Sequence, residues 1–226
     1  MSDLTLEALD QDGAICEALA RVSGDTRADF LRKATVGGAV LLGALAMPPA
    51  GSAATTNDVD ILNYALTLEY LQASFYTETE RIGALAGKAA QATRVVGAVE
   101  RAHVDALRKA LGPAAVKRPT FNFRGTTEDT RKFLKTAVAF EDLAVAAYKA
   151  QAPRLDSKEI LAVAVSIHSV EARHAAWMRR LFGILPAANA FDEALSRPEV
   201  TRIVSSTRFI ASTPSTETKG TPTFTG

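Results

Sequence analysis

The chain has 226 residues, 47% hydrophobic and 23% charged, with a formal net charge of +1. That balance fits one globular domain with a single core, and no basic block concentrates the charge a nucleic-acid partner would require. One cysteine, Cys16, rules out an internal disulfide framework and any Cys-x-x-Cys metal or electron-transfer site. Alanine is abundant and aromatics make up only 7%, which biases the fold toward packed helices.

The first element is not part of the domain. Arg27, Arg32 and Lys33 precede an uncharged run, Ala34 to Ala46, and the run ends in "MPPAGSAA". A basic flank, a short apolar stretch and small residues predict an export signal over residues 1–54, with cleavage near Ala53 or Ala54. The run is too short for a comfortable membrane span, so no stable span is expected once the signal is removed. "TRADFLRK", Thr26 to Lys33, resembles a twin-arginine signal: Arg27, Phe30 and Leu31 match, while Ala28 stands where the second arginine belongs. Export to the periplasm or the cell exterior is expected, by the Tat or the Sec route.

Four helical segments follow in a domain expected over 55–186. The first starts with Asn57 or Asp58 as N-cap and runs to about Leu85. The second, from about Ala89, stops at Gly112-Pro113. A loop rich in Pro, Gly, Asn and Phe leads to the third, capped by Thr126 or Thr127 and ending before Pro153. The fourth begins at Asp156, with Glu159 three residues on in capping-box spacing, and stops at Gly183. Helices of this length with mostly short connections predict an all-α four-helix bundle, and no strand alternation competes. A C-terminal extension, 187–226, reads as short helices followed, from Ser205, by a disordered Ser/Thr/Pro/Gly tail.

The polar marks on these helices repeat. Glu69 and Tyr76 of the first helix overlay Glu141 and Tyr148 of the third at an offset of 72, and Glu100 and His103 of the second overlay Glu171 and His174 of the fourth at 71. The chain therefore reads as two pseudo-repeated helical hairpins, each with a lone Glu, a Tyr seven residues later, and a Glu-x-x-His. Residues three apart share a helix face, so each Glu-His pair can point inward. Four carboxylates in one core would repel and force at least one neutral. No Lys or Arg on those faces compensates, whereas two divalent cations would, with two neutral imidazoles completing the ligands. The predicted metal ligands are Glu69, Glu100, His103, Glu141, Glu171 and His174.

The stretches "ILNYALTLEYLQASFY", "VERAHVDALRKALG", "AFEDLAVAAY" and "VEARHAAWMRRLFG" resemble the ferritin-like di-metal carboxylate bundles. Among these they look like the exported bacterial ferritin-like proteins related to plant desiccation-associated proteins. The resemblance implies two Fe or two Mn ions, with Glu100 and Glu171 as terminal or bridging ligands. It also implies redox chemistry on O₂, peroxide or Fe(II): a ferroxidase, peroxidase or catalase-like oxidoreductase. The alternative it carries is a non-catalytic metal-binding or stress-protective protein. A homo-oligomer is open.

Beside the ligands, Tyr76 and Tyr148 are expected to bond ligand groups across the bundle, and Gln72 to bond a ligand carboxylate. His168, one turn before Glu171, reads as a neighbour of the ligands or a surface histidine, with an extra ligand that makes one metal position different as the alternative. It overlays Gly97 and so breaks the repeat. Asp105 and Asp142 should face away, and Trp177 should pack.

Overall fold

The computed structural model describes residues 54–211. The export signal expected over 1–54 lies outside them except for Ala54, as does the tail from residue 212. Among the described residues the regular elements are helices α1 (Thr56–Ile82), α2 (Gly87–Leu111), α3 (Thr130–Gln151), α4 (Lys158–Phe182) and α5 (Arg197–Thr207), with 3₁₀ turns at Gly112–Ala114 and Ala152–Arg154. The fold is all-α. The helix α1 packs on α2 and α3 on α4 as two hairpins, and the hairpins meet through α1 with α3 and α2 with α4.

The caps sit a few residues from where the sequence places them. Thr55, not Asn57 or Asp58, is the N-cap of α1, and Asp58 closes the capping box as the third helical residue. The helix α1 stops at Ile82, because Gly83 adopts a left-handed conformation (φ 67°) that returns its N–H to Thr79 O. Asp129 caps α3 through Lys132 N, while Thr126 bonds within the preceding turn to Phe123 O. Ser157, not Asp156, caps α4 by accepting from Ile160 N. In each case an oxygen-bearing side chain beside the expected one meets the exposed backbone N–H groups.

The C-terminal segment is more ordered than its composition suggests. The helix α5 continues through Ser205 and Ser206 to Thr207, opened by a Ser196–Glu199 capping box. Val200, Val204 and Phe209 are buried, and that apolar face outweighs the polar residues between them. Arg197 ties α5 to α1 through Asp60 at 2.7 Å and by stacking on the Tyr64 ring at 4.6 Å. Phe121 and Ile210 form a β-bridge that pins the α2–α3 loop to the chain after α5.

Two apolar clusters fill the bundle. One gathers Phe75, Tyr76, Val96, Phe133, Phe140, Met178, Val204 and Phe209. Its aromatics interlock, with Phe75 stacked on Phe133 (5.2 Å, 7°) and edge-on to Phe123 and Phe140. The other gathers Leu62, Leu66, Leu107, Leu111, Tyr148, Ile160 and Ile167. Along α2 the first cluster ends at Val96 and the second begins at Val104. Along α4 the second ends at Ile167 and the first resumes at Met178. The gap between them is the level of the Glu-His pairs.

Candidate metal centre

The six polar side chains of the repeat converge in that gap. Glu69 comes from α1, Glu100 and His103 from α2, Glu141 from α3, and Glu171 and His174 from α4. All four carboxyl groups are 0% exposed, and the two imidazoles 9% and 6%. His103 Nδ1 lies 3.0 Å from Glu171 Oε1, 3.4 Å from Glu69 Oε2 and 3.6 Å from Glu100 Oε2. His174 Nδ1 lies 2.8 Å from Glu100 Oε1, 3.6 Å from Glu141 Oε2 and 4.0 Å from Glu171 Oε2. Two donor groups result, Glu69–Glu100–His103–Glu171 and Glu100–Glu141–Glu171–His174, each with its atoms within 4.8 Å of one another. Glu100 and Glu171 belong to both and give one oxygen to each.

The protonation balance of the bare protein is strained. Burial pushes the Glu69 carboxyl up to about 7 against the pull of His103, and Glu100 adds repulsion. Burial and then the charges of Glu100 and Glu69 hold Glu171 well above the carboxylate range. Glu100 goes the other way: burial opposes its charge, but the two flanking imidazoles outweigh that and hold it low. Burial likewise opposes charge on His103 and His174, and the surrounding carboxylates still raise both.

The test of whether a cation fits is the set of atoms left without a partner. Glu69 Oε2, both oxygens of Glu100, Glu171 Oε1, His103 Nδ1 and His174 Nδ1 are buried and accept or donate no hydrogen bond. Buried polar atoms are seldom left so, and each costs about 1–3 kcal/mol. All six face the two groups, and none is a thiolate. An oxygen-rich set with one imidazole per position suits hard to borderline divalent ions. The residues could hold metal ions. The family model described as a ferritin-like domain matches residues 57–183, more than half of the chain. The chain belongs to the ferritin-like family. No curated protein matches it.

Two tyrosines and an amide surround the two donor groups. Tyr148 donates to Glu69 Oε1 at 2.7 Å, and Tyr76 donates to Glu141 Oε1, so each hairpin's tyrosine holds the other hairpin's lone Glu. Burial, then the nearby carboxylates, raise both phenols well above their ordinary value, and they stay protonated donors. Gln72 Nε2 donates to Glu141 Oε2 at 3.2 Å and Glu171 Oε2 at 3.4 Å. Asp142 faces away and pairs with Arg179 through two 2.8 Å bonds. Asp105 is exposed, and Trp177 packs against the Phe75 cluster.

His168 is half-buried, its Nε2 bonds nothing, and it belongs to neither donor group. Sequence reasoning missed the phenylalanine cluster beside the site and the tight approach at Gly97. The position of Gly97 opposite His168 in the repeat was the available signal for the latter.

Proposed function

We propose that this ferritin-like bundle binds two iron or manganese ions on Glu69, Glu100, His103, Glu141, Glu171 and His174, and is an oxidoreductase acting on O₂, peroxide or Fe(II). The observation that carries the reading is the sharing of Glu100 and Glu171 between two groups that leave six buried, facing atoms without a hydrogen-bond partner. When bound, the pair supplies two electrons, each ion passing between +2 and +3. The chain's own part is to neutralise, orient and shield. Four carboxylates balance two divalent charges. Tyr76 and Tyr148 fix the outer oxygens of Glu141 and Glu69, and the two apolar clusters keep bulk water from the layer.

Full burial of all four carboxylates favours a second reading, a closed metal-holding site without turnover in a stress-protective protein. The same proposal divides the chain into a signal over 1–54, a bundle over 55–186 and an extension over 187–226, and places the mature protein in the periplasm or outside the cell. Among the described residues no helix is long and apolar enough to cross a membrane.

Elemental analysis of protein purified from its native compartment without added metal is the test. Near two Fe or Mn per chain supports the centre, and peroxide consumption and Fe(II) oxidation assays then separate turnover from storage. Glu100→Ala combined with Glu171→Ala should abolish stoichiometric binding and leave helical content largely intact. Unchanged metal content in that variant, or no Fe(II) or Mn(II) binding by the parent protein, overturns the reading.

A further inference from the structure

Away from the polar layer, a cleft of about 490 Å³ opens between α1 and the α2–α3 loop, a volume typical of small-molecule sites. Its loop side is aromatic: Phe121 is half-buried and stacked on Phe123 at 5.8 Å and 14°. Its α1 side includes Ser74, whose Oγ is buried and has no hydrogen-bond partner among the described residues. Thr67, Thr79, Thr93 and Ser166 each return their hydroxyl to the carbonyl four residues back. Ser74 does not, and its hydroxyl is left for an occupant of the cleft. Arg118 and Arg124 line the same cleft, both exposed. Arg118 pairs with nothing among the described residues. Arg124 is held in place by strain: its φ is 52°, and among the described residues only Arg208, at 55°, shares a positive φ without being glycine. The two are joined, since Arg124 Nε donates to Arg208 O at 3.1 Å, and Asn122 Oδ1 accepts from Arg124 N at 2.9 Å. The loop is fastened on both sides, Asn122 N to Phe209 O at 2.8 Å and Ala211 N to Thr120 O at 2.9 Å. Backbone strain that the surroundings enforce in this way is a mark of ligand clamps.

We infer that this cleft binds a small aromatic carboxylate, with its ring against Phe121, its carboxylate on Arg118 and Arg124, and Ser74 as a further donor. A planar guanidinium matches a carboxylate with two parallel hydrogen bonds, and the exposed side of a phenylalanine stack suits a flat ring. The charge of the lining selects the anion. Glu78 is engaged by Arg81 through two 2.9 Å bonds, which leaves Glu128 as the one free carboxylate against two arginines. A monoanion balances the remaining positive charge, and a dianionic phosphate overshoots it. A neutral ring would leave the arginines unmet, and a bare inorganic anion would leave the aromatic wall uncovered. Because the loop is already fastened, binding need not order it, and little affinity is lost to preorganisation. None of the six carboxylate and imidazole side chains of the polar layer lines the cleft, so the inference stands apart from the di-metal reading.

The experiment is a calorimetric titration of the full chain with cinnamate, paired with amide chemical shifts. Cinnamate should bind with a Kd below about 1 mM and shift the amides of Ser74, Thr120 and Asn122. Cinnamyl alcohol, which keeps the ring and lacks the charge, should bind more weakly. Arg118→Gln combined with Arg124→Gln should weaken cinnamate about tenfold and leave the alcohol unchanged. Arg118→Gln alone, which breaks no contact among the described residues, should weaken it about threefold, and Ser74→Ala by about the same factor. Circular dichroism checks the fold of each variant. Glu100→Ala combined with Glu171→Ala should bind cinnamate as wild type does, because the cleft is not the metal centre. Loss of binding in that variant, equal binding of the alcohol, displacement of cinnamate by inorganic phosphate, no effect of Arg118→Gln, or no binding by wild type each overturn the inference.

Discussion

Tyr148 and Glu69 sit on opposite hairpins and are joined by a 2.7 Å hydrogen bond in the buried centre of the bundle. The bond meets the one Glu69 oxygen that faces away from His103. It also locks the α1–α2 hairpin against the α3–α4 hairpin at the level of the polar layer, and Tyr76 and Glu141 repeat it in reverse. Tyr148→Phe keeps the ring and removes only the donor, so Glu69 Oε1 is left buried and unmet. We expect a loss of about 1–3 kcal/mol, read as a lower midpoint in denaturant unfolding. Metal affinity at the Glu69–His103 position should fall by about tenfold or more, because an outer partner that orients a ligand is gone. An unfolding midpoint and a metal isotherm both equal to wild type would show that the bond orients nothing.

The metal-free protein should lose stability as pH rises, and the loaded protein should not. Glu69 is raised from 4.5 to about 7 and Glu171 well above 4.5, so both retain protons in the folded state that the unfolded chain has released. His103 and His174 are raised well above 6.5 and do the same at higher pH. A folded state that binds more protons than the unfolded one is favoured at low pH and loses that advantage as pH climbs through the folded values. Glu100 is lowered, so its contribution is present above 4.5 and is lost only in acid. From pH 6 to 8 the raised groups outnumber it, and the apoprotein's melting temperature should decline. Metal binding needs these groups deprotonated and strengthens over the same range. The gap between loaded and metal-free melting curves should therefore widen with pH. A gap that shrinks would mean that metal binding does not displace these protons.

Gly97 is a packing requirement between α1 and α2. A Cβ there would lie 2.4 Å from Glu80 Oε1, 2.8 Å from Tyr76 Cβ and 3.1 Å from Arg101 Nη1. The Glu80 carboxylate can swing aside, at the expense of its 3.0 Å ion pair with Arg101. Tyr76 Cβ moves only if α1 moves. Gly97→Ala should therefore destabilise by about 1–3 kcal/mol despite alanine's better helix propensity of about 1 kcal/mol. It should also shift the Tyr76 hydroxyl from Glu141. Adding Glu80→Ala should not restore the melting temperature, because the clash with Tyr76 persists. Full recovery in that double variant would assign the cost to the ion pair alone.

The polar layer is legible in the sequence because its spacing is a property of single helices. Offsets of 72 and 71 and a three-residue Glu-to-His step fix which face each side chain occupies before any packing is known. Which carboxylates straddle both donor groups is not legible. That depends on how the hairpins cross, and Glu100 and Glu69 look alike until α2 and α4 are placed side by side. The asymmetry of Gln72 against Ala144 is visible in the overlay, but its meaning needs the two acceptor oxygens. Helix caps slip by a few residues because "TTND", "TTED" and "DS" offer several oxygen-bearing side chains in a row, and tertiary contacts choose among them. The Ser/Thr-rich stretch from Ser205 reads as unstructured only while Phe209 is seen without the cluster that buries it.

Asp58 shows what such a tertiary choice does. Taken alone it looks like an N-cap, but it is 0% exposed and serves two segments. Its Oδ2 accepts from Thr55 N at 3.2 Å to close the capping box, and its Oδ1 accepts from Asp156 N at 2.8 Å in the α3–α4 connection, 98 residues away. Thr55 Oγ1 donates to Asp156 Oδ2 at 2.6 Å, and Asn57 Nδ2 to Arg154 O at 2.7 Å, completing the tie. The start of the first hairpin is thus fastened to the turn of the second. Asp58→Ala leaves two backbone N–H groups without their acceptor and should cost about 2–6 kcal/mol, the sum of two such losses. Asp58→Asn keeps one acceptor oxygen and should recover part of it. Because the tie is far from the polar layer, metal stoichiometry should stay unchanged in both variants. Hydrogen exchange should rise at Thr55 and Asp156 together. Faster exchange at Thr55 with Asp156 unchanged would mean that Asp58 is a local cap and no more.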